Sequence, residues 1–129
     1  MKSITQLIDG LENRLVLGRI PDEAVSEAEK KLNVRFAKEY RQYTKAFGAV
    51  SIGGSEYTGA VSDPNLDVVR VTESARQITP QAGEKWYVIE DPHIDGIIIW
   101  QDENGQIYKT APGLEPQKIA ESFAEYINH

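Results

Sequence analysis

The spacing of apolar residues changes character once along this chain, and that change restricts it to a mixed helix-and-strand fold. Up to Gly48 apolar residues recur at helical intervals; beyond it they fall in short runs bounded by turn residues. Ser3 and Gln6 have the spacing of a capping box, and Ile4, Leu7, Ile8, Leu11 and Leu15 share one face of a predicted first helix that Gly18 ends. Pro21 opens a second helix with a stripe of Val25, Ala28 and Leu32. Its charges Glu23, Glu27, Lys30 and Lys31 face solvent, and Asn33 suits the left-handed residue that stops it. A third helix, from about Ala37, carries Tyr40, Tyr43 and Phe47 before Gly48.

Strand signals follow. Ile52–Tyr57 reads as a short strand or turn around Gly53-Gly54, and Asp67–Val71 fits either an extended segment or the approach to a helical piece over Thr72–Arg76. Trp86–Ile89 is a strand. Ile97–Trp100, apolar on both faces, is a central one. Asn104-Gly105 predicts a tight type I′ hairpin leading into Gln106–Thr110. Helical spacing returns over Gln117–Asn128 through Ile119, Phe123 and Ile127. The pattern predicts an α+β fold, a mainly antiparallel twisted sheet flanked by N-terminal and C-terminal helices. No repeat and no Pro/Gly/Ser-rich linker divides it, so residues 1–129 read as a single domain.

A chain of this length buries roughly two-thirds of its unfolded surface, enough for one core without covalent staples. Cysteine is absent, which removes disulfides, thiolate metal sites and a cysteine nucleophile, and favours a reducing, cytoplasmic setting. The first residues lack the apolar stretch of a secretory signal, and the longest aliphatic and aromatic run, Ile97–Trp100, is too short for a bilayer, so a soluble protein is expected. Charge is uneven. Residues 1–45 carry 9 Lys/Arg against 7 Asp/Glu, or +2; residues 46–129 carry 5 against 13, or −8. Phosphate contacts need basic side chains, so direct nucleic-acid binding is not expected, whereas a basic protein partner suits the second part.

Candidate chemistry is sparse. Of the two histidines, His129 is terminal and His93 lies in Asp91-Pro92-His93-Ile94-Asp95-Gly96, a run of turn residues between two predicted strands. Carboxylates flank His93, yet no Gly-x-Ser-x-Gly elbow supplies a nucleophile. The same run places Asp91, His93, Asp95 and Gly96 at positions one, three, five and six of a calcium loop. Position three is His, position twelve is Asp102, and the following residues read as strand, so no metal is expected. Gly53-Gly54 lacks the spacing of a phosphate loop. Neighbouring carboxylates in one loop are poorly placed to flank a glycosidic bond, and Glu90, Asp91 and Asp95 read instead as a solvated acidic rim. Trp86, Tyr87, Trp100 and Tyr108 read as core or half-buried sheet residues, an exposed one being able to anchor a partner. The chain is expected to be no enzyme and to need no cofactor.

The segment from Pro21-Asp22-Glu23 through Glu27–Val34 to Phe36–Tyr43 and Phe47-Gly48 resembles the opening of the SUKH superfamily, which includes bacterial immunity proteins and the fungal Smi/Knr cell-wall regulators. Ile52–Tyr57 is similar to that family's Gly-containing strand, Asp67-Val68-Val69 to its Val-rich stretch, Gly105–Tyr108 to its hairpin and Ser122–Ile127 to its closing helix. The family commonly has Leu-Pro where Phe36-Ala37 stands. The resemblance spans roughly residues 20 to 128 and implies one α+β domain that, in bacterial members, neutralises a toxin, often a nuclease, by direct binding. A regulatory adaptor like the fungal members is the alternative. On charge and loop position, Glu56, Asp63, Asp67, Glu90, Asp91 and Asp95 are the expected contacts to a basic toxin face.

Overall fold

The computed structural model describes residues 2–128, which form five helices and two antiparallel sheets. In chain order the elements are α1 (Ile4–Asp9), β1 (Arg14–Val16), α2 (Asp22–Leu32), α3 (Lys38–Phe47), β2 (Val50–Ile52), β3 (Ser55–Tyr57), α4 (Val68–Ile78), β4 (Tyr87–Glu90), β5 (Ile98–Gln101), β6 (Ile107–Thr110), β7 (Gln117–Ala120) and α5 (Phe123–Ile127). One sheet has the order β1-β2-β3 and the other β4-β5-β6-β7. The Thr58 amide donates to the Ile89 carbonyl at 2.9 Å, so β3 leads onto β4 where the two sheets meet. No helix among the described residues is long and apolar enough to cross a membrane.

The second and third helices form as their local signals require. Val25, Ala28 and Leu32 are buried, and Asn33 ends α2 at φ 56°, ψ 47°. Tyr40, Tyr43 and Phe47 are the buried face of α3, and they meet Phe36, Tyr57, Tyr87 and Phe123 in an aromatic core with ring centroids 4.7 to 6.4 Å apart. Three phenol oxygens in that core are hydrogen-bonded. Tyr87 accepts from the Ala37 amide and donates to Gln101, Tyr43 donates to the Thr58 carbonyl, and Tyr40 pairs with the Thr58 hydroxyl.

Several expectations are corrected. The Ser3–Gln6 capping box is present, but α1 ends at Gly10, not Gly18. Leu15 belongs instead to β1, whose register with β2 is Arg14↔Ile52, Leu15↔Ser51 and Val16↔Val50, and it faces solvent. Its spacing from Leu11 is coincidental. Of the two readings open for Asp67–Val71 the helical one holds, since the Asp67 carboxylate accepts from the Val69 amide and caps α4. Gln117–Ala120, expected to begin a helix, pairs with β6 as an edge strand, and α5 starts only after Ser122, which caps it through the Glu125 amide.

The turn chemistry is also redistributed. Gly53 and Gly54, both at positive φ, join Ile52 to its partner Ser55 in a two-residue turn, so the type I′ geometry sits here. Asn104 has no positive φ; the β5–β6 hairpin instead turns over Asp102–Gly105, with the Asp102 carboxylate accepting from the Asn104 and Gln106 amides and only Gly105 left-handed. The hairpin itself is as expected, with Ile98↔Thr110 and Gln101↔Ile107 in register, and β5 is central and buried.

Candidate functional site

The acidic residues expected to meet a partner are not equivalent. Glu90, the last residue of β4, is buried at 7% exposure and accepts a hydrogen bond from the Tyr126 hydroxyl of α5 at 2.5 Å. Burial pushes its carboxyl above the usual carboxylate range; the Tyr126 bond pulls it part of the way back, and neighbouring Asp91 pushes it up again. Glu90 is therefore removed from the acidic rim, because its charge faces the α5 contact. Asp67 is half-buried and committed to the α4 cap. Glu56 is exposed on β3, in the cross-strand row Leu15–Ser51–Glu56 on the solvent side of the small sheet.

Asp63, Asp91 and Asp95 remain, all on loops. Asp63 is exposed and its carboxylate holds the Asn65 amide at 2.9 Å. Asp91 holds the His93 amide at 2.9 Å and lies 3.6 Å from the His93 ring. His93 and Asp95 both adopt left-handed backbone, at φ 58° and 53°, an uncommon conformation for non-glycine residues and here repeated within three positions. The loop so bent exposes His93, Ile94 and Asp95 together. A shallow groove of about 210 Å³ brings Asp91 and His93 beside Pro64, Asn65 and Arg70, so the Asp63 loop and the Asp91–Gly96 loop share one face with α4.

Chemically this face offers carboxylates in water, one imidazole and one guanidinium. Among the described residues no three His, Asp or Glu side chains gather as a metal cage, and the segment after Gly96 runs on as β5. His129 lies outside the described residues. Trp86 and Tyr108, half-buried, stack at 4.2 Å and 11° beside the buried Trp100, which uses its indole N–H on Thr110.

Another carboxylate escaped the reading from residues alone. Glu39 of α3 accepts from the Phe123 and Ala124 amides at the start of α5 and from the Gln101 side chain. Burial raises its carboxyl, and those three donors offset part of the shift. Its partners lie 84, 85 and 62 positions away, so only the third dimension joins them.

These elements define an α+β chain in which the Asp63 and Asp91–Gly96 loops lie on one face with α4. A crystal structure of a protein from Pseudomonas syringae pv. tomato has the same fold, with a TM-score of 0.76 at 16% identity over 98% of this chain and 93% of that one. The SUKH_5 family, described as SMI1-KNR4 cell-wall, matches residues 2–129, and the chain belongs to that family. No curated protein matches it.

Proposed function

We propose that this chain is an immunity-type protein that binds a cognate toxin, a basic nuclease being the best fit, and covers its active face. The observation that carries the reading is the Asp91–Gly96 loop, whose two left-handed non-glycine residues hold Asp95 and Ile94 out in solvent on the same face as Asp63. Backbone held in a sparsely populated region is a feature of binding sites. The −8 charge of residues 46–129 complements a nucleic-acid-binding surface, steering encounter while an apolar contact supplies affinity. Family membership supports the reading through the immunity proteins that the superfamily includes.

The test is to search the neighbouring reading frames for a larger protein with a toxin-like C-terminal domain and to co-express that domain with this chain. Protection of growth, with association that slows steeply as salt is raised, is the expected result. Survival unaffected by the chain would count against the reading. The description of the matched family, SMI1-KNR4 cell-wall, favours a second reading, a regulatory adaptor. Recovery of several cell-wall proteins with the chain and protection from no toxin would point to it.

A further inference from the structure

Beside the acidic loop the surface is apolar, and it is built rather than incidental. Among the described residues six large hydrophobic side chains are strongly exposed, and three of them, Ile78 at 71%, Ile94 at 57% and Leu114 at 64%, belong to this end of the molecule. Ile78 ends α4, and it lines with Pro80, Thr110, Pro112, Leu114 and Glu115 an open groove of about 500 Å³. Three chain segments meet there and are tied together. Gln81 donates from its amide to the carbonyls of Ala111 and Leu114, both at 3.2 Å. Gly96 packs so closely on Pro112 that an added Cβ would lie 2.8 Å from the proline ring. That contact joins the acidic loop to the groove wall.

We infer that this groove is the anchor site for a basic protein partner, taking an aliphatic side chain flanked by Lys or Arg. The inference rests on the proposed binding of a basic partner and adds where and how that partner is held. Charge complementarity decides the occupant: Glu115 is the one charged residue among those lining the groove, no lysine or arginine lines it, and the exposed Asp95 directly precedes Gly96, which does line it. A cation beside an inserted side chain therefore meets the Glu115 carboxylate in the groove itself, while Arg70 lies in the neighbouring groove on the other side of Ile78. An apolar pocket rimmed by like charges is the arrangement in which one buried anchor supplies affinity and the rim supplies orientation. Because Gln81 and the prolines hold the walls in place, little ordering is required on binding.

The test uses the ¹⁵N-labelled full chain and three short peptides: lysines around a central leucine, the same peptide with a central serine, and the leucine peptide with glutamates for its lysines. The lysine–leucine peptide is expected to shift the amides of Ile78, Gly96, Gly113 and Leu114. Loss of about tenfold or more in affinity is expected with the serine peptide, with the glutamate peptide and in the Ile78→Asp, Leu114→Asp protein. Both substituted residues are exposed, and unchanged amide shifts elsewhere verify the fold. Shifts confined to other surfaces, equal binding of the acidic peptide, or concentration-dependent shifts of the groove amides without any peptide, which would mean self-association, overturn the inference. The two readings fail separately. Groove docking without toxin protection sinks the immunity assignment alone; undiminished toxin binding by the doubly substituted chain sinks the groove alone.

Discussion

The Tyr126 hydroxyl donates to the buried Glu90 carboxylate at 2.5 Å, joining α5 to the end of β4. Glu90 titrates above its ordinary value of 4.5 in the folded chain, chiefly through burial. Between 4.5 and that raised value the folded state holds a proton that the unfolded state has released, so this group lowers stability as pH rises through the window and restores it as pH falls. Glu90→Gln keeps an acceptor for Tyr126 and removes the titration. Urea unfolding from pH 4.5 to pH 8 should show the variant gaining on the unaltered chain as pH rises, the two converging toward the acid end. A gap that stays constant across that range would contradict the assignment.

Gly59 lies against Gly48 at a distance that no side chain tolerates. A Cβ there would sit 1.7 Å from the Gly48 carbonyl oxygen and 2.9 Å from the Thr44 hydroxyl, which itself bridges the Gly48 carbonyl and the Ala60 amide. Gly59→Ala must push apart the end of α3 and the strand exit, and a loss of about 3 kcal/mol or more is expected by denaturant unfolding. Gly113→Ala makes the comparison, having positive φ but nothing within 4 Å, and should cost only about 1 kcal/mol of backbone strain.

Arg76 of α4 is a cross-tie. Its guanidinium donates to the carbonyls of Leu32, Glu84 and Trp86, joining the end of α2 to the approach of β4. Partial burial lowers its pKa from the ordinary arginine value, with Glu73 acting in the other direction. Arg76→Met keeps the stem and leaves these carbonyls without their donor, and a loss of roughly 2 kcal/mol is expected, measured by thermal or urea unfolding. Since the three carbonyls belong to different segments, amide exchange should quicken at both Asn33 and the residues before Tyr87.

What the residues announced and what they concealed divides along contact range. Pro21, Asn33 and the Val25, Ala28, Leu32 stripe act within one or two turns, so α2 was legible without a fold. β1 was not, because a three-residue strand with Leu15 turned to solvent has no pattern of its own and exists through its pairing with Val50–Ile52. Ser122 with Glu125 three residues on marked where α5 begins, yet the helical spacing of Ile119 obscured it. At the candidate site the Asp91–Gly96 turn could be read from its residues. The burial of Glu90 could not, since Tyr126 lies 36 positions away, and neither could a groove assembled from residues near 78, 96 and 112.

The rim and the anchor should separate kinetically. Asp91 and Asp95 are side chains of one loop, Asp95 exposed and Asp91 only partly so, and among the described residues neither is paired with a Lys or Arg, Asp91 having the His93 ring at 3.6 Å. Their charge acts on an approaching basic partner over about a Debye length, before contact is made. Replacing both by Lys should therefore lower the association rate with the toxin domain by about tenfold or more at low salt and flatten its salt dependence, while dissociation changes little. Stopped-flow mixing at several ionic strengths measures both rates. Ile78→Asp should do the reverse, quickening dissociation and leaving most of the association rate intact, because an anchor acts only once it is seated. If the lysine pair altered dissociation alone, the loop would be a packed contact and the long-range steering role assigned to it would be wrong.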